Sequence, residues 1–210
     1  MSPLSVWRWC LGLEGTVVES VTVEGGEGSG PGVLVARVRL PARRALRCGR
    51  CGSIAKRYDR GRGLRRWRSV DQGTRKAYLE AQLPRVRCRA HGVVMAQVPW
   101  ARHGAGHTRD FDQQVAWLAV ETSKQAVTGF MRVSWRTVGD IVERVQADLD
   151  REHGGGGGGQ DRLAGLSRIG IDEISYKRNY KYLTVIVDHD TGRLVWAGEG
   201  RDKAVLRRFF

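Results

Sequence analysis

Long apolar runs are missing from this sequence. No stretch reaches the roughly 20 residues a helix needs to span a bilayer, so no membrane partner is expected. The first ten residues also lack a basic head followed by an apolar stretch, so a secretion signal is not expected and a soluble, intracellular chain is. Acids are scarce: 22 Asp and Glu stand against 36 Lys and Arg, for a formal net charge of +14. That excess favours a polyanionic partner by raising local attraction and association rate. Charge alone does not separate DNA from RNA or an anionic surface. Cysteine is scarce too, with four in the chain. In a reducing cytosol closely spaced cysteines are more often metal ligands than disulfides. Aromatics make up 8%, and no platform for stacking bases is visible, which weighs against an RNA-binding zinc protein. The apolar fraction, 41%, is ordinary, and 210 residues allow one large or two to three small domains.

Alternating apolar residues predict strands over 16–23 and 33–40, joined by the glycine-rich loop 25–32 into a hairpin. Residues 37–68 carry thirteen Arg or Lys and one acid, Asp59. A second strand pair is expected from 76–80 and 84–88. Pro99 and the Gly- and His-containing stretch 102–107 then break the pattern. From Thr108 the period becomes helical. Thr108 is placed as the N-cap of a first helix, with Asp110 and Asp112 suited to the helix dipole and Phe111, Val115 and Leu118 on one face. A short second helix starts near Ser123 and carries Ala126, Val127 and Phe130. A third starts at Ser134, with Trp135, Val138, Val142, Val145 and Leu149 as an apolar stripe and Ile141 beside it. Six glycines at 154–159 read as a flexible linker. A meander of strands follows at 169–174, 182–188 and 194–197, and Asp202 is placed to cap a helix from Lys203.

Cys48 and Cys51, and again Cys88 and His91, are separated by two residues each. One tight turn with that spacing presents two ligands, and zinc wants four nitrogen or sulfur ligands in a tetrahedron. With all four positions filled by protein, the expected site is closed and structural, and its ion supplies folding free energy to a module with little core. The alternative is a redox dithiol with His91 on the surface, but such pairs follow a strand in a βαβ unit, and none is read here. The 36 residues between the knuckles exceed those of a compact zinc ribbon. Cys10 is expected to be a buried apolar residue, and His103 and His107 to be solvated.

The three helices with a turn at 131–133 fit a helix-turn-helix, whose second helix places its N-terminal residues in the major groove. Trp135 falls on the stripe expected to be core. Arg136, Thr137, Asp140 and Arg144 fall on the face expected to meet DNA, and Arg136 suits a guanine edge. The other reading is a plain three-helix bundle. The basic residues Arg65, Arg66 and Arg68, between the knuckles, are expected to touch backbone phosphates; a solvated charge run is the alternative.

These residues carry a resemblance. The Cys48 and Cys51 knuckle, Arg66-Trp67-Arg68-Ser69-Val70-Asp71 and the stretch 83–92 resemble the zinc-finger region of insertion-sequence transposases of the ISL-three type. Residues 132–138 resemble that family's helix-turn-helix. Residues 169–177, 182–185, 188–192 and 200–203 resemble the opening of its catalytic domain. The resemblance implies an α+β multidomain chain: a β-rich zinc module at 1–100, a helix-turn-helix at 101–153, a linker at 154–165 and the start of a ribonuclease-H-like domain at 166–210. It implies a cytoplasmic, nucleoid-associated bacterial protein whose partners are duplex DNA at the element's terminal repeats, with further copies or full-length transposase. It also implies a triad of two aspartates and one glutamate holding two Mg2+ ions, of which only Asp172 carries over. Asp188 and Asp190 are read as turn residues. On these grounds the 210-residue chain alone is expected to be inactive in strand transfer; the alternative is a non-catalytic DNA-binding remnant or regulator competing for the element ends.

Overall fold

The computed structural model describes residues 3–26, 30, 32–152, 163, 165–177, 181–192 and 194–210. The linker glycines 154–159 lie outside them, as does part of the loop 25–32. The chain forms two compact units, 1–145 and 146–210, each described by itself.

The first unit begins with a short helix, α1 (Pro3–Cys10), which the sequence reading missed. Proline suits the first helical position, where its absent N–H is not needed. Cys10 is exposed on it, not buried as expected. Strands β1 (Val17–Glu24) and β2 (Val33–Arg39) form the expected antiparallel hairpin. Strands β3 (Lys56–Asp59), β4 (Leu64–Gln72), β5 (Arg75–Gln82), β6 (Arg85–Cys88) and β7 (Gly92–Met95) follow. They build two sheets, one in the order β1-β2-β5-β4 and one in the order β3-β6-β7.

The expected pairing of β5 with β6 does not form. β5 is taken on both sides, parallel to β2 and antiparallel to β4, so it offers β6 no free edge. The chain turns at the buried Leu83 and at Pro84, a residue with no N–H to donate, and enters the other sheet. The core of the larger sheet gathers Leu11, Val38, Trp67, Leu79 and Trp100. Trp67 and Trp100 meet edge to face, with ring centroids 5.7 Å apart.

Three helices complete this unit: α2 (Arg109–Glu121), α3 (Lys124–Met131) and α4 (Trp135–Glu152), the last crossing the boundary between units. Each starts at the predicted cap. Thr108 accepts from the Phe111 amide at 3.3 Å, Ser123 from Ala126 at 3.2 Å and Ser134 from Thr137 at 3.1 Å. Arg132 ends α3 in the left-handed conformation, φ 54°, and sharpens the turn into α4. Phe111, Val115, Val127, Met131, Val138 and Ile141 form the helical core.

The stripe on α4 is rotated from the one expected. Val138, Ile141 and Val145 face the core, while Trp135 is 58% exposed and Val142 and Leu149 are exposed too. Trp135 packs against Lys124, whose Nζ lies 4.8 Å from its ring centre. On α3, Phe130 is exposed, and Val127 and Met131 take the inner positions. Both segments hold more apolar residues than one face can bury, and periodicity alone could not choose between the overlapping stripes.

Charged contacts tie the helices to the sheets. Asp112 is fully buried and meets Arg102 at 3.0 Å, Arg144 at 3.4 Å and His107 at 3.9 Å. Arg132, at the helix-turn-helix turn, pairs with Asp71 and donates to the Thr74 carbonyl at 3.0 Å. Backbone bonds reinforce this: the Arg68 N–H donates to the Gly106 carbonyl at 2.9 Å, and the Arg68 carbonyl accepts from the Thr108 N–H at 2.8 Å.

The second unit holds β8 (Ile169–Lys177), β9 (Lys181–Asp188), β10 (Leu194–Glu199) and α5 (Lys203–Leu206). The strands form the expected antiparallel meander, in the order β10-β9-β8. Asp202 caps α5 by accepting from the Val205 amide at 3.0 Å. Val185, Ile186, Val195 and Val205 are its buried apolar residues.

Removing the carboxylate charge at Asp112 leaves Arg102 and Arg144 without their shared buried partner. Asp112→Asn is expected to cost about 3 kcal/mol. A urea melt of the whole chain checks this, and an unchanged midpoint contradicts it.

Candidate metal centre and nucleic-acid interface

Two turns bring the knuckles together. In the first, Cys48 N–H donates to the Ser53 carbonyl at 2.8 Å and Gly52 N–H returns to the Cys48 carbonyl at 2.9 Å, so Cys48 and Cys51 present their sulfurs to one side. Gly49 sits where a Cβ would lie 2.7 Å from the Met95 carbonyl, so the turn can press against the strand below. In the second, β6 and β7 form a tight hairpin whose connection carries His91, with Gly92 at φ +65°.

The four ligand atoms all lie within 4.8 Å of one another. Cys48 Sγ to His91 Nδ1, Cys51 Sγ to Cys88 Sγ and Cys88 Sγ to His91 Nδ1 are each 3.7 Å. A tetrahedron with metal–sulfur bonds of about 2.3 Å has edges of about 3.8 Å, so these separations are those of ligands around one ion. They are far too long for a disulfide, whose bond is about 2.05 Å. The donor set, three thiols and one imidazole, fits structural zinc. Hydrogen bonding with the Ser53 hydroxyl, 3.3 Å from the sulfur, and with the Ser53 backbone holds the Cys51 thiol down to about 6, which favours the thiolate. Burial pushes the Cys88 thiol up. Cys48 also receives the Arg50 amide at 3.4 Å, a typical second contact for a ligating sulfur.

His103 is exposed, as expected, but His107 is not solvated. Its ring stacks on Phe111 with centroids 5.2 Å apart, and burial lowers its basicity.

The structure divides the arginines that the sequence assigned to DNA. Arg136 and Asp140 are exposed on the first turns of α4. Thr137 is half-buried there, its hydroxyl 2.7 Å from that of Ser134. Arg144 is turned inward to Asp112 and is not on the open face. Arg68 is 7% exposed, pairs with Asp71 and lies over the Tyr78 and Phe111 rings. Arg66 spends its guanidinium on Glu80 at 2.8 Å and Glu24 at 2.8 Å. Arg65 donates to the Ala105 carbonyl at 2.8 Å and lies over Trp67, keeping part of its surface open. Register explains the losses: Arg66 stands opposite Glu80 and Arg68 opposite Tyr78 on the neighbouring strand. A one-dimensional charge run cannot show a partner that arrives from another strand.

Asp172 is exposed on β8, and its Oδ1 accepts the Glu173 amide at 2.7 Å. Asp188 is buried and accepts from the Asp190 amide at 3.0 Å and the Thr191 hydroxyl at 2.7 Å, the turn role read from the sequence. Asp190 pairs with Arg168. Among the described residues the Cys48, Cys51, Cys88 and His91 group is the one cluster of three or more metal-capable side chains, and Asp172 belongs to none. No helix among them is long and apolar enough to cross a membrane.

Two features were missed from the sequence. Asp112 was read as a dipole partner and is the hub between Arg102 and Arg144, a role no local spacing signals. Exposed aromatics exist after all, among them Tyr58, Trp117, Phe130 and Trp135.

Fold and site together define an α+β protein in which a Cys3His zinc module is joined to a helix-turn-helix. Comparison with known proteins gives a family likeness. The zinc-finger model of transposases IS204/IS1001/IS1096/IS1165 matches residues 44–91, the helix-turn-helix model of transposase family ISL3 matches 96–146, and the family's transposase model matches 169–210. All three models are of transposase family ISL3, so the chain is similar to that family in three successive segments. It is 53% identical, over its whole length, to the transposase for insertion sequence element IS1557 of Mycobacterium tuberculosis, of which it covers 46%. It is 22% identical over 182 residues to the transposase for insertion sequence element IS1001 of Bordetella parapertussis, covering 42% of that protein. The chain thus spans less than half the length of these relatives. No solved structure matches it.

The purified chain is expected to carry about one zinc ion by elemental analysis, since four ligands close one tetrahedron. Cys88→Ser is expected to lose it. Metal-free protein after chelator-free purification contradicts the assignment.

Proposed function

We propose that this chain is the DNA-recognising part of an insertion-sequence transposase and binds the duplex terminal repeats of its own element. The observation that carries this reading is the placement of Arg136. It stands exposed at the start of α4, the second helix of a helix-turn-helix, on a frame held to the zinc module through Arg132 and Asp71. The N-terminal residues of such a helix meet base edges, and a guanidinium fork matches the two acceptors of guanine. Asp140, exposed one turn on, is placed to accept from a cytosine amino group. The net charge of +14 supplies the sequence-independent attraction.

In this reading residues 1–100 form the zinc module and 101–153 the helix-turn-helix, while 154–165 link them to a unit, 166–210, that begins a ribonuclease-H-like domain. Support for the last comes from the family's transposase model, which matches 169–210, and from the antiparallel meander with Asp172 on its first strand. Magnesium ions in such a domain activate an attacking oxygen and stabilise a leaving one. Asp172 offers one oxygen-ligating side chain to such a site and belongs to no larger cluster among the described residues, so no phosphoryl-transfer step is assigned to them. A cytoplasmic, nucleoid-associated location and association with further transposase copies belong to the same reading.

The test is equilibrium binding of the full chain to a labelled duplex carrying the element's terminal repeat and to a shuffled duplex of the same composition. The repeat is expected to bind more tightly. Arg136→Ala is expected to erase about 1–3 kcal/mol of that preference, as for loss of one bidentate base contact. Equal binding of both duplexes by the unmodified chain contradicts the reading.

A further inference from the structure

The cations of the basic segment sort into two groups once their partners are known. Arg37 and Arg66 meet Glu80, Arg39 meets Glu19, and Arg68 meets Asp71. These are framework pairs. Arg62 and Arg87 are exposed, and among the described residues neither has a carboxylate partner. Arg62 lies in the turn between β3 and β4, and Arg87 lies on β6 opposite Val93 of β7. An open groove runs between the β3–β4 turn and the β6–β7 hairpin, lined by Arg62, Leu64, Arg65, Arg85, Val93 and His103.

Beside this groove lies an arrangement that framework needs do not account for. Tyr58 is 48% exposed. The Arg85 guanidinium lies 5.4 Å from its ring centre and that of Arg87 5.2 Å. The sheet register shifts between Arg57 and Asp59, at Tyr58 itself, as a bulge does when it re-aims a side chain. Arg85 is fixed further by both carboxylate oxygens of Asp59, through Nε at 3.0 and 3.1 Å. Among the described residues Arg87 has the tyrosine ring and no carboxylate partner. Exposed cation–π contacts contribute only about 0.5–1 kcal/mol each, so two on one exposed ring do little for stability. What they do is order two guanidiniums in advance. Ordering in advance lowers the entropy cost when a ligand is clamped. Arg65 is likewise held over Trp67 while part of it stays open.

We infer that this groove and the Arg87 side chain beside it form a second DNA contact, separate from the start of α4, and that Arg62 and Arg65 in the groove and Arg87 at its edge hold backbone phosphates, with Tyr58 as the plate that keeps Arg85 and Arg87 in place. The inference rests on the DNA-binding reading above and deepens it. The groove displays guanidinium donors and carries no free carboxylate that would read a base amino group; the one acid beside it, Asp59, is committed to Arg85. It therefore adds affinity and orientation without sequence preference. The side chains at the groove are the same whichever element end is bound, so the contact is expected on DNA of any sequence.

The experiment is a salt titration of the full chain on a fluorescein-labelled blunt DNA duplex of arbitrary sequence, followed by anisotropy. Each phosphate contact contributes about 0.9 to the slope of log affinity against log salt. The Arg62→Gln, Arg87→Gln double variant is expected to lower the slope by about two and to weaken low-salt binding at least several-fold. Arg8→Gln, a single charge removed from α1, is expected to leave the slope unchanged. Zinc content equal to that of the unmodified chain shows that the double variant is folded. An unmodified slope in the double variant, with DNA still bound, overturns the groove and leaves the DNA reading standing. Failure of the unmodified chain to bind any duplex overturns both. A slope change seen on duplex RNA and not on DNA assigns the groove to RNA and overturns the inference as stated.

Discussion

The convergence of Cys48, Cys51, Cys88 and His91 is the constraint on which the rest of the first unit hangs. The sheet it holds, β3-β6-β7, is made of three strands of four residues each. Strands that short are marginal alone. Its buried side chains are few, Val86 and Cys88 among them, so hydrophobic burial cannot define its shape. Four ligand atoms at tetrahedral spacing close the loop from Cys48 to Cys88 and set the first turn against the β6–β7 hairpin. The basic groove and the Tyr58 plate sit on the strands so joined, and they exist as a surface only when the strands do.

From that module outward, the protein uses charge as framework where a larger protein would use apolar contacts. Asp112 draws Arg102 from the loop before α2 and Arg144 from α4 into one buried cluster. Asp71 draws Arg68 from β4 and Arg132 from the turn before α4. The helix that carries Arg136 is therefore fixed near its start to the zinc module, through Arg132 and Asp71, and in its middle to α2, through Arg144 and Asp112. Removing either acid strands arginines in a low-dielectric setting, which is why such clusters are costly to break even when they add little as formed pairs. The same pairing consumes much of the basic segment, leaving its unpaired cations on the groove side and on exposed turns.

The sequence made some of this legible and hid the rest for identifiable reasons. Metal ligands were readable because spacing within a turn is a local property, and both pairs obey it. Helix starts at Thr108, Ser123 and Ser134 were readable because a cap is also local. The partners of Arg66, Arg68 and Arg144 were hidden because they arrive from other strands and helices. The orientation of α4 was hidden because Trp135, Val138, Ile141, Val142, Val145 and Leu149 offer two overlapping stripes, and packing against Phe111 and Val127 chooses between them. The strand pairing of 76–80 with 84–88 failed because nearness in sequence gave no sign that both edges of β5 were already occupied. Asp172 was singled out through resemblance alone, and among the described residues no metal-capable cluster includes it.

The central claim is that metal closure gives the basic surface its form, and amide hydrogen exchange of the full chain before and after chelation tests it most directly. The account predicts that removing the ion abolishes protection of the amides in β3, β6 and β7 while those of β8, β9 and β10 keep theirs. Unchanged protection in β3, β6 and β7 without the ion would contradict it.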